Sequence, residues 1–422
     1  MSVPRALPLP LSRTPPLALR NVLHGGMRSV LAVAGVAFSI TLVLLQLGFL
    51  EAVRITATTV FDQLEFDVVL LSPQYEQFFG PGAFPLRRLK EAESVPGVTA
   101  ARPLYALMGF WRCPPYPVAS EAGDPAAVEK LGVLKRWWLG DRRPRPLQLR
   151  ELLILGIDLD RNPFRDPIHS QVEAARPRLR SRDRILMNEW SSPDFGWQSR
   201  AEFSGWELNG QGVTIVGGFT LQRSFGADAA VLTSDANWAR ALHLPGIGQV
   251  NFGLLTVPSD QIDDVVRDLN LRLPPDVRAW SRADLVALEE DYWVRQTATG
   301  KIFAYGVLVT ILVATVVIYQ VLANDIRDHI VEYATLKAMG HTNTFLSGVV
   351  MTQAMIYALA AYLPAVFVGA GLYKATEALA NIPMRLTSAN LVLVLVLTLG
   401  ASLVSAILTL NKVRSAEPAE LF

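Results

Sequence analysis

The side chains best able to do chemistry are spread thinly along this chain. Its five histidines, His24, His169, His243, His329 and His341, are scattered and no H-E-x-x-H pair is present, which argues against a metal site. The Gly-Lys pair Gly300-Lys301 is followed by Ile302, and Arg295 stands where the leading glycine of a phosphate-binding loop belongs. Serines and aspartates are plentiful, yet no G-x-S-x-G elbow accompanies them. The single cysteine, Cys113, cannot form an internal disulfide, so a water-exposed domain must be held by its own core. Lys135, Arg136, Arg142, Arg143 and Arg145 form a basic cluster, but in a proline-containing stretch that reads as a solvated loop rather than an anion site. Beside them, Trp137-Trp138 suits lipid headgroups or a partner as well as it suits packing. No convergent catalytic set emerges. The chain reads as a non-enzyme with no directly bound cofactor or metal.

One short run stands apart. From Asn324 to Gly340 the sequence is amphipathic and helix-compatible. Asn324 or Asp325 can cap such a helix, and Gly340 can end it. Ile326, Ile330, Tyr333 and Leu336 make an apolar stripe, while Arg327, Asp328, Glu332 and Lys337 place charges elsewhere on the surface. A helix lying on a membrane surface would carry a Lys/Arg-rich polar face. Mixed charges point instead to a protein partner.

The elements that must position this run are membrane spans. The chain has 422 residues, 51% hydrophobic and 18% charged, against roughly 25% charged in soluble domains. The charges concentrate between about residues 51 and 300. A hydrocarbon core about 30 Å thick needs about 20 apolar residues in a helix. Residues 29–50 and 301–323 meet this requirement, as do 345–373, interrupted by Pro364, and 389–410. Backbone groups in lipid must be satisfied within the segment, so all four are expected to be helices, the third kinked or irregular at Pro364. The first apolar run is longer than that of a signal peptide and lacks a clear cleavage site. Arg5, Arg13, Arg20 and Arg28, with no acidic residue among the first 28, place the N-terminal segment 1–28 in the cytoplasm. The expected order is then an external domain at 51–300, a cytoplasmic loop at 324–344, a short external loop at 374–388 holding Lys374 and Arg385, and a cytoplasmic tail at 411–422 with Lys412 and Arg414. A net charge of +1 gives no nucleic-acid footprint.

Within 51–300 the pattern reads as α+β, in one domain or two subdomains. Strands are expected at Phe66–Leu71, Val98–Phe110, Leu152–Ile157, Val213–Phe219, Ala230–Leu232, Asn251–Val257 and Val277–Trp280. Pro85 is expected to open a helix carrying Leu86 and Leu89, and Ser259 to cap one carrying Ile262, Val265, Val266 and Leu269. Two β-α-β units thus flank the domain. Ser281 with Asp284 forms an S-x-x-D cap for a helix bearing Leu285, Leu288 and Tyr292. With no proline between Ser281 and the second span, that helix is expected to continue through the membrane, with a break near Gly300 as the alternative. Residues 51–64 are expected to extend the first span outward, giving two stalk helices.

These residues resemble a known family. "DHIVEYATLKAMGHTN", residues 328–343, resembles the E-x-x-x-L-K-A-M-G element of FtsX/MacB-type permeases. "RSVLAVAGVAFSITLVLLQLGFL", "FDQLEFDVVLLSPQY", "ESVPGV", "LTSDANW", "DYW" and the tail "SAEPAELF" are similar to DevC-type ABC exporter permeases, and the likeness runs nearly end to end. Residues from about 113 to 149 depart from it, being longer than the family pattern. The resemblance implies a membrane α-helical protein with four transmembrane helices and a large MacB-like α+β extracytoplasmic domain between the first and second. It implies a homodimeric permease of the inner membrane that pairs with a separate ABC ATPase, which hydrolyses the ATP. It further implies a periplasmic membrane-fusion adaptor, an outer-membrane channel and an amphiphilic cargo such as glycolipid, moved by mechanical transmission. The implied ATPase-docking set is Ile326, Arg327, Asp328, Glu332, Tyr333, Leu336, Lys337 and Gly340. Two similar scaffolds remain alternatives: an FtsX-like regulator of a periplasmic cell-wall hydrolase and a lipoprotein-release permease. A ligand-sensing receptor would need an attached signalling output, for which the cytoplasmic portions are too short.

Overall fold

The computed structural model describes residues 19, 26–112, 149–192, 195, 203–222, 226–244, 246–380 and 382–414. Cys113, the basic cluster, Trp137-Trp138, Arg5, Arg13, Arg20 and the tail after Arg414 lie outside these residues. The chain divides into two compact units, one of Val53–Thr297 and the other of Met1–Ala52 with Ala298–Phe422.

The 53–297 unit is built on a nine-stranded mixed sheet in the order β11-β1-β10-β3-β4-β8-β5-β7-β6. Its strands are β1 (Val68–Leu71), β3 (Ala100–Arg112), β4 (Leu149–Ile157), β5 (Arg184–Asn188), β6 (Phe203–Leu208), β7 (Gln211–Phe219), β8 (Ala230–Ser234), β10 (Phe252–Thr256) and β11 (Arg278–Ser281). The short pair β2 (Phe84–Pro85) and β9 (Gln249–Val250) stands apart. Helix α2 (Arg87–Glu93) connects β1 toward β3, α3 (Ile168–Leu179) lies between β4 and β5 in the chain, and α5 (Ile262–Arg272) connects β10 to β11. β1 and β3 both run antiparallel to β10, and β10 and β11 both run antiparallel to β1. The two expected β-α-β units are therefore real but split, each with a strand of the other inserted between its own pair.

Alternation explains why these strands read as unbroken apolar runs. In β1, Val68 and Leu70 join one buried cluster and Val69 and Leu71 the other. In β4, Leu152 and Ile154 point one way, and Leu153, Leu155 and Ile157 the opposite way. Both faces are covered, so period-2 amphipathicity disappears from the sequence. At β4 the covering layer comes close: a Cβ on Gly156 would lie 2.6 Å from Cγ of Trp238, on α4 (Asp235–Ala241). At the far end of the sheet, β6 pairs with β7 and also with the end of β3, where Trp111 stacks on Trp206 at 5.3 Å. Strands β3-β4-β8-β5-β7-β6 thus close into a ring, which removes two exposed edges.

Several local expectations need correction. Ser259 does not cap α5: a turn from Pro258 to Gln261 intervenes, Gln261 takes the cap position, and the helix starts at Ile262. Pro85 pairs with Gln249 in β2, so its helix starts two residues later, at Arg87. The Ser281 cap is present, its Oγ accepting from Asp284 N at 3.1 Å at the start of α6 (Arg282–Asp291). That helix does not continue into the next. It widens into a π-helical turn, Tyr292–Gln296, and stops at Thr297, whose backbone is extended at φ −75°, ψ 153°. Helix α7 (Ala298–Asp328) starts afresh one residue on. The break comes three residues before Gly300, because threonine is a favoured residue for the non-helical position ahead of a helix.

In the other unit, four helices are long and apolar enough to cross a membrane. They are α1 (Gly26–Asp62, whose last ten residues belong to the 53–297 unit), α7, α9 (Asn343–Ala380) and α10 (Ser388–Arg414). Helix α1 is continuous to Asp62, as expected for an extended first span. Helix α9 runs unbroken through Pro364, so the irregular turn that was the second expectation there does not occur. The bundle core gathers Val36, Ile40, Leu44, Ile318, Leu322, Val350, Tyr357 and Ala361. Outside it, Leu308 on α7 is 68% exposed and Phe367 on α9 is 82% exposed. Apolar surface on that scale calls for lipid or another chain around it.

Candidate functional site

The run singled out above folds into two pieces. Helix α7 carries it through Asp328, since nothing from Asn324 to Asp328 breaks a helix. Neither Asn324 nor Asp325 is therefore a cap. His329 takes that place, with φ −105° and ψ 17°, and its ring Nδ1 lies 2.9 Å from the Asp325 carbonyl oxygen one turn back. A separate short helix follows, α8 (Ile330–Ala338). Gly340 ends it in a left-handed conformation, φ +94°. Gly340 N donates to Lys337 O at 3.0 Å and His341 N to Leu336 O at 3.1 Å, the paired bonds of a Schellman cap.

Helix α8 has two faces. Ile330, Tyr333, Ala334 and Leu336 turn toward the bundle, and Tyr333 is buried. Burial pushes the Tyr333 phenol well above its ordinary range, with the carboxylates of Asp325 and Glu332 adding to the effect. On the opposite face Val331, Glu332, Thr335 and Met339 are exposed. Val331 is 56% and Met339 66% exposed, so the outward face is partly apolar. The eight expected docking residues are therefore not one surface. Ile326, Tyr333 and Leu336 anchor the element, Gly340 ends it, Lys337 is half-buried, and Arg327, Asp328 and Glu332 face outward. Asp328 pairs with Arg28 at 3.0 Å, an exposed bridge of modest worth.

Sequence reasoning missed the residues that hold α8 in place. The Asp325 carboxylate, on α7, accepts hydrogen bonds from the Gln353 amide and, at 3.3 Å, from the Tyr357 hydroxyl, both on α9. Tyr333 Oη donates to Gln353 Oε1 at 3.4 Å. One signal was available: Gln353 and Tyr357 are polar, one helical turn apart, and lie inside an otherwise apolar run.

The 53–297 unit holds a second unusual group. Glu289 on α6 is fully buried, and its carboxylate accepts from the Tyr75 hydroxyl. Burial raises the carboxyl to about 7, although the Tyr75 hydrogen bond pulls the other way. Tyr75 is itself raised, first by burial and then by the carboxylate. The pair sits immediately before the π-helical turn, where Thr297 Oγ1 donates to Trp293 O at 2.6 Å. Among the described residues no group of three or more His, Cys, Asp or Glu is placed to hold a metal ion.

Residues 305–418 match the family described as FtsX-like permease C-terminal. The match takes in most of α7 and all of α8, α9 and α10. No curated protein matches the chain. Among solved structures, the extracellular domain of the noncanonic ABC-type transporter YknZ from Gram-positive bacteria is similar at 12% identity and a TM-score of 0.30, covering 51% of this chain and 100% of that one. The periplasmic region of MacB from Actinobacillus actinomycetemcomitans is similar at 8% identity and a TM-score of 0.33, covering 55% of this chain and 96% of that one. The C-terminal part of the chain is thus similar to an FtsX-like permease region, and α8 lies inside the matched stretch.

Proposed function

We propose that this chain is the permease subunit of an ATP-driven ABC exporter of the FtsX/MacB-like, DevC-type kind, working by mechanical transmission. The observation that carries the reading is α8: a short helix between two apolar helices of the FtsX-like region, anchored on one face and presenting Val331, Glu332, Thr335 and Met339 on the other. A rigidly held helix with a small mixed polar and apolar face suits a protein partner, and the partner proposed is a separate ABC ATPase. The permease acts as a homodimer in the inner membrane, with α8 and both termini cytoplasmic and the 53–297 unit periplasmic. ATP-driven movement of α8 is passed to that unit, which works with a membrane-fusion adaptor and an outer-membrane channel to move an amphiphile such as a glycolipid.

The test is affinity purification of the full chain from its native membranes. An ABC ATPase should accompany it. The double substitution Val331→Asp with Glu332→Arg should remove the ATPase while leaving membrane insertion and melting unchanged. ATPase retained by the double variant refutes the docking role of α8. A chain that brings down no ATPase refutes the exporter reading.

A further inference from the structure

The Asp325 carboxylate ties together three helices. It lies in the last turn of α7, with its side chain only 14% exposed. Gln353 and Tyr357 reach it from α9, and Tyr333 on α8 donates to the same Gln353. Gln353 and Tyr357 are buried among the bundle's apolar side chains. The His329 ring stands 3.9 Å from Asp325 Oδ1 at the corner where α7 gives way to α8.

A carboxylate in such surroundings is tolerated only while it is hydrogen-bonded. Moving α8 and the end of α7 away from α9 would strip Asp325 of both donors at once and leave Gln353 with unpaired polar atoms. Apolar contacts can slide and re-form at little cost, but buried hydrogen bonds to a charge are directional and expensive to leave unmade. Displacement of α8 is thus resisted at its junction with α9, and the low-cost response is for α9 to follow.

We propose that Asp325, Gln353, Tyr357 and Tyr333 form a clasp that makes α8 and α9 move as one body, so that force applied to α8 enters the third apolar helix. Asp325 is a positioning residue in this scheme, outside the docking face itself. The inference rests on α8 being the ATPase-docking helix. It also makes a claim about the chain alone, that α8 is locked to α9 by hydrogen bonds.

The experiment has two arms, both on the full chain. Without ATPase, amide hydrogen exchange across 330–338 should quicken at least tenfold in Asp325→Ala and Gln353→Ala. Asp325→Asn keeps only one of the two accepting oxygens, since Gln353 donates to Oδ2 and Tyr357 to Oδ1, and should fall between the native chain and the alanine variants. With ATPase, a Cys113→Ala, Glu377→Cys background reports on the far end of α9 through its maleimide labelling rate. Nucleotide should change that rate several-fold in the native clasp, less in Asp325→Asn and not in Asp325→Ala, while the ATPase still co-purifies with all of them. Tyr357→Phe, a milder change, should give an intermediate response. Unchanged exchange in both alanine variants overturns the clasp, as does a nucleotide response that survives them. Loss of the ATPase from the alanine variants alone also overturns it, since the cluster would then shape the docking face rather than carry force. If no variant, including the native chain, binds an ATPase, the exporter reading fails and the exchange arm decides the clasp by itself.

Discussion

Glu289 offers a direct test of how burial sets the behaviour of the 53–297 unit. The substitution is Glu289→Gln, which keeps the shape and an oxygen for the Tyr75 hydroxyl but cannot ionise. In the folded chain the carboxyl titrates at about 7 instead of 4.5. The folded state therefore holds a proton that the unfolded state has already lost. Stability from the neutral carboxyl is complete below pH 4.5 and is lost as the pH rises to 7 and just beyond. At about 1.4 kcal/mol for each tenfold change in proton affinity, the loss by pH 8 is on the order of 3 kcal/mol. The glutamine variant does not suffer it. The two chains should melt alike near pH 4.5 and diverge as the pH rises, the variant ending roughly 6 °C higher at pH 8 for a unit of this size. The assay is thermal unfolding of the full chain in detergent micelles from pH 4.5 to 8, followed by tryptophan fluorescence, which Trp280 and Trp293 report locally. A difference that stays constant with pH would refute the reasoning, and so would a variant less stable than the native chain at pH 8.

Other consequences follow from the packing. Gly156→Ala should destabilise the unit by about 1–3 kcal/mol through the clash with Trp238, and adding Trp238→Leu should recover part of the loss in a melting experiment. Ser281→Ala removes the cap of α6 and should cost about 1 kcal/mol, read as faster amide exchange at Asp284 with little change elsewhere. Gly340→Val places a β-branched residue in the left-handed region at a cost of roughly 1–2 kcal/mol. Limited proteolysis near Lys337 should then accelerate, with Gly340→Asn falling between the two.

The four apolar helices were legible because length and missing charge alone define them. The strands of the split β-α-β units were legible to within two residues at each end. β5 was not, because Arg184–Asn188 is bounded by charged and polar residues and is short. β6 and the ring closure through Trp111 and Trp206 were hidden too, since pairing between residues so far apart leaves no local pattern. The helix cap at Ser281 could be read from four residues, whereas Thr297 hid its role because the residues around it favour a helix. The amphipathic stripe of Ile330, Tyr333 and Leu336 was visible, but the clasp was not. Asp325, Gln353 and Tyr357 belong to different helices, and only packing brings them together.

The hairpin of β3 and β4 has a consequence for how this protein can vary. Ala100–Leu104 pairs with β10, Leu104–Arg112 with β4, and the tip again with β6, so one strand is stitched into both halves of the sheet. Neither half can be excised and expected to fold alone. At the same time Arg112 lies directly opposite Leu149, so the chain leaves the sheet and returns to it at facing positions. The entropy cost of closing a connection between two such facing positions grows only slowly with its length. The same feature that makes the domain indivisible also fixes the register of β3 against β4 along their whole paired length, from Leu104 opposite Ile157 to Arg112 opposite Leu149.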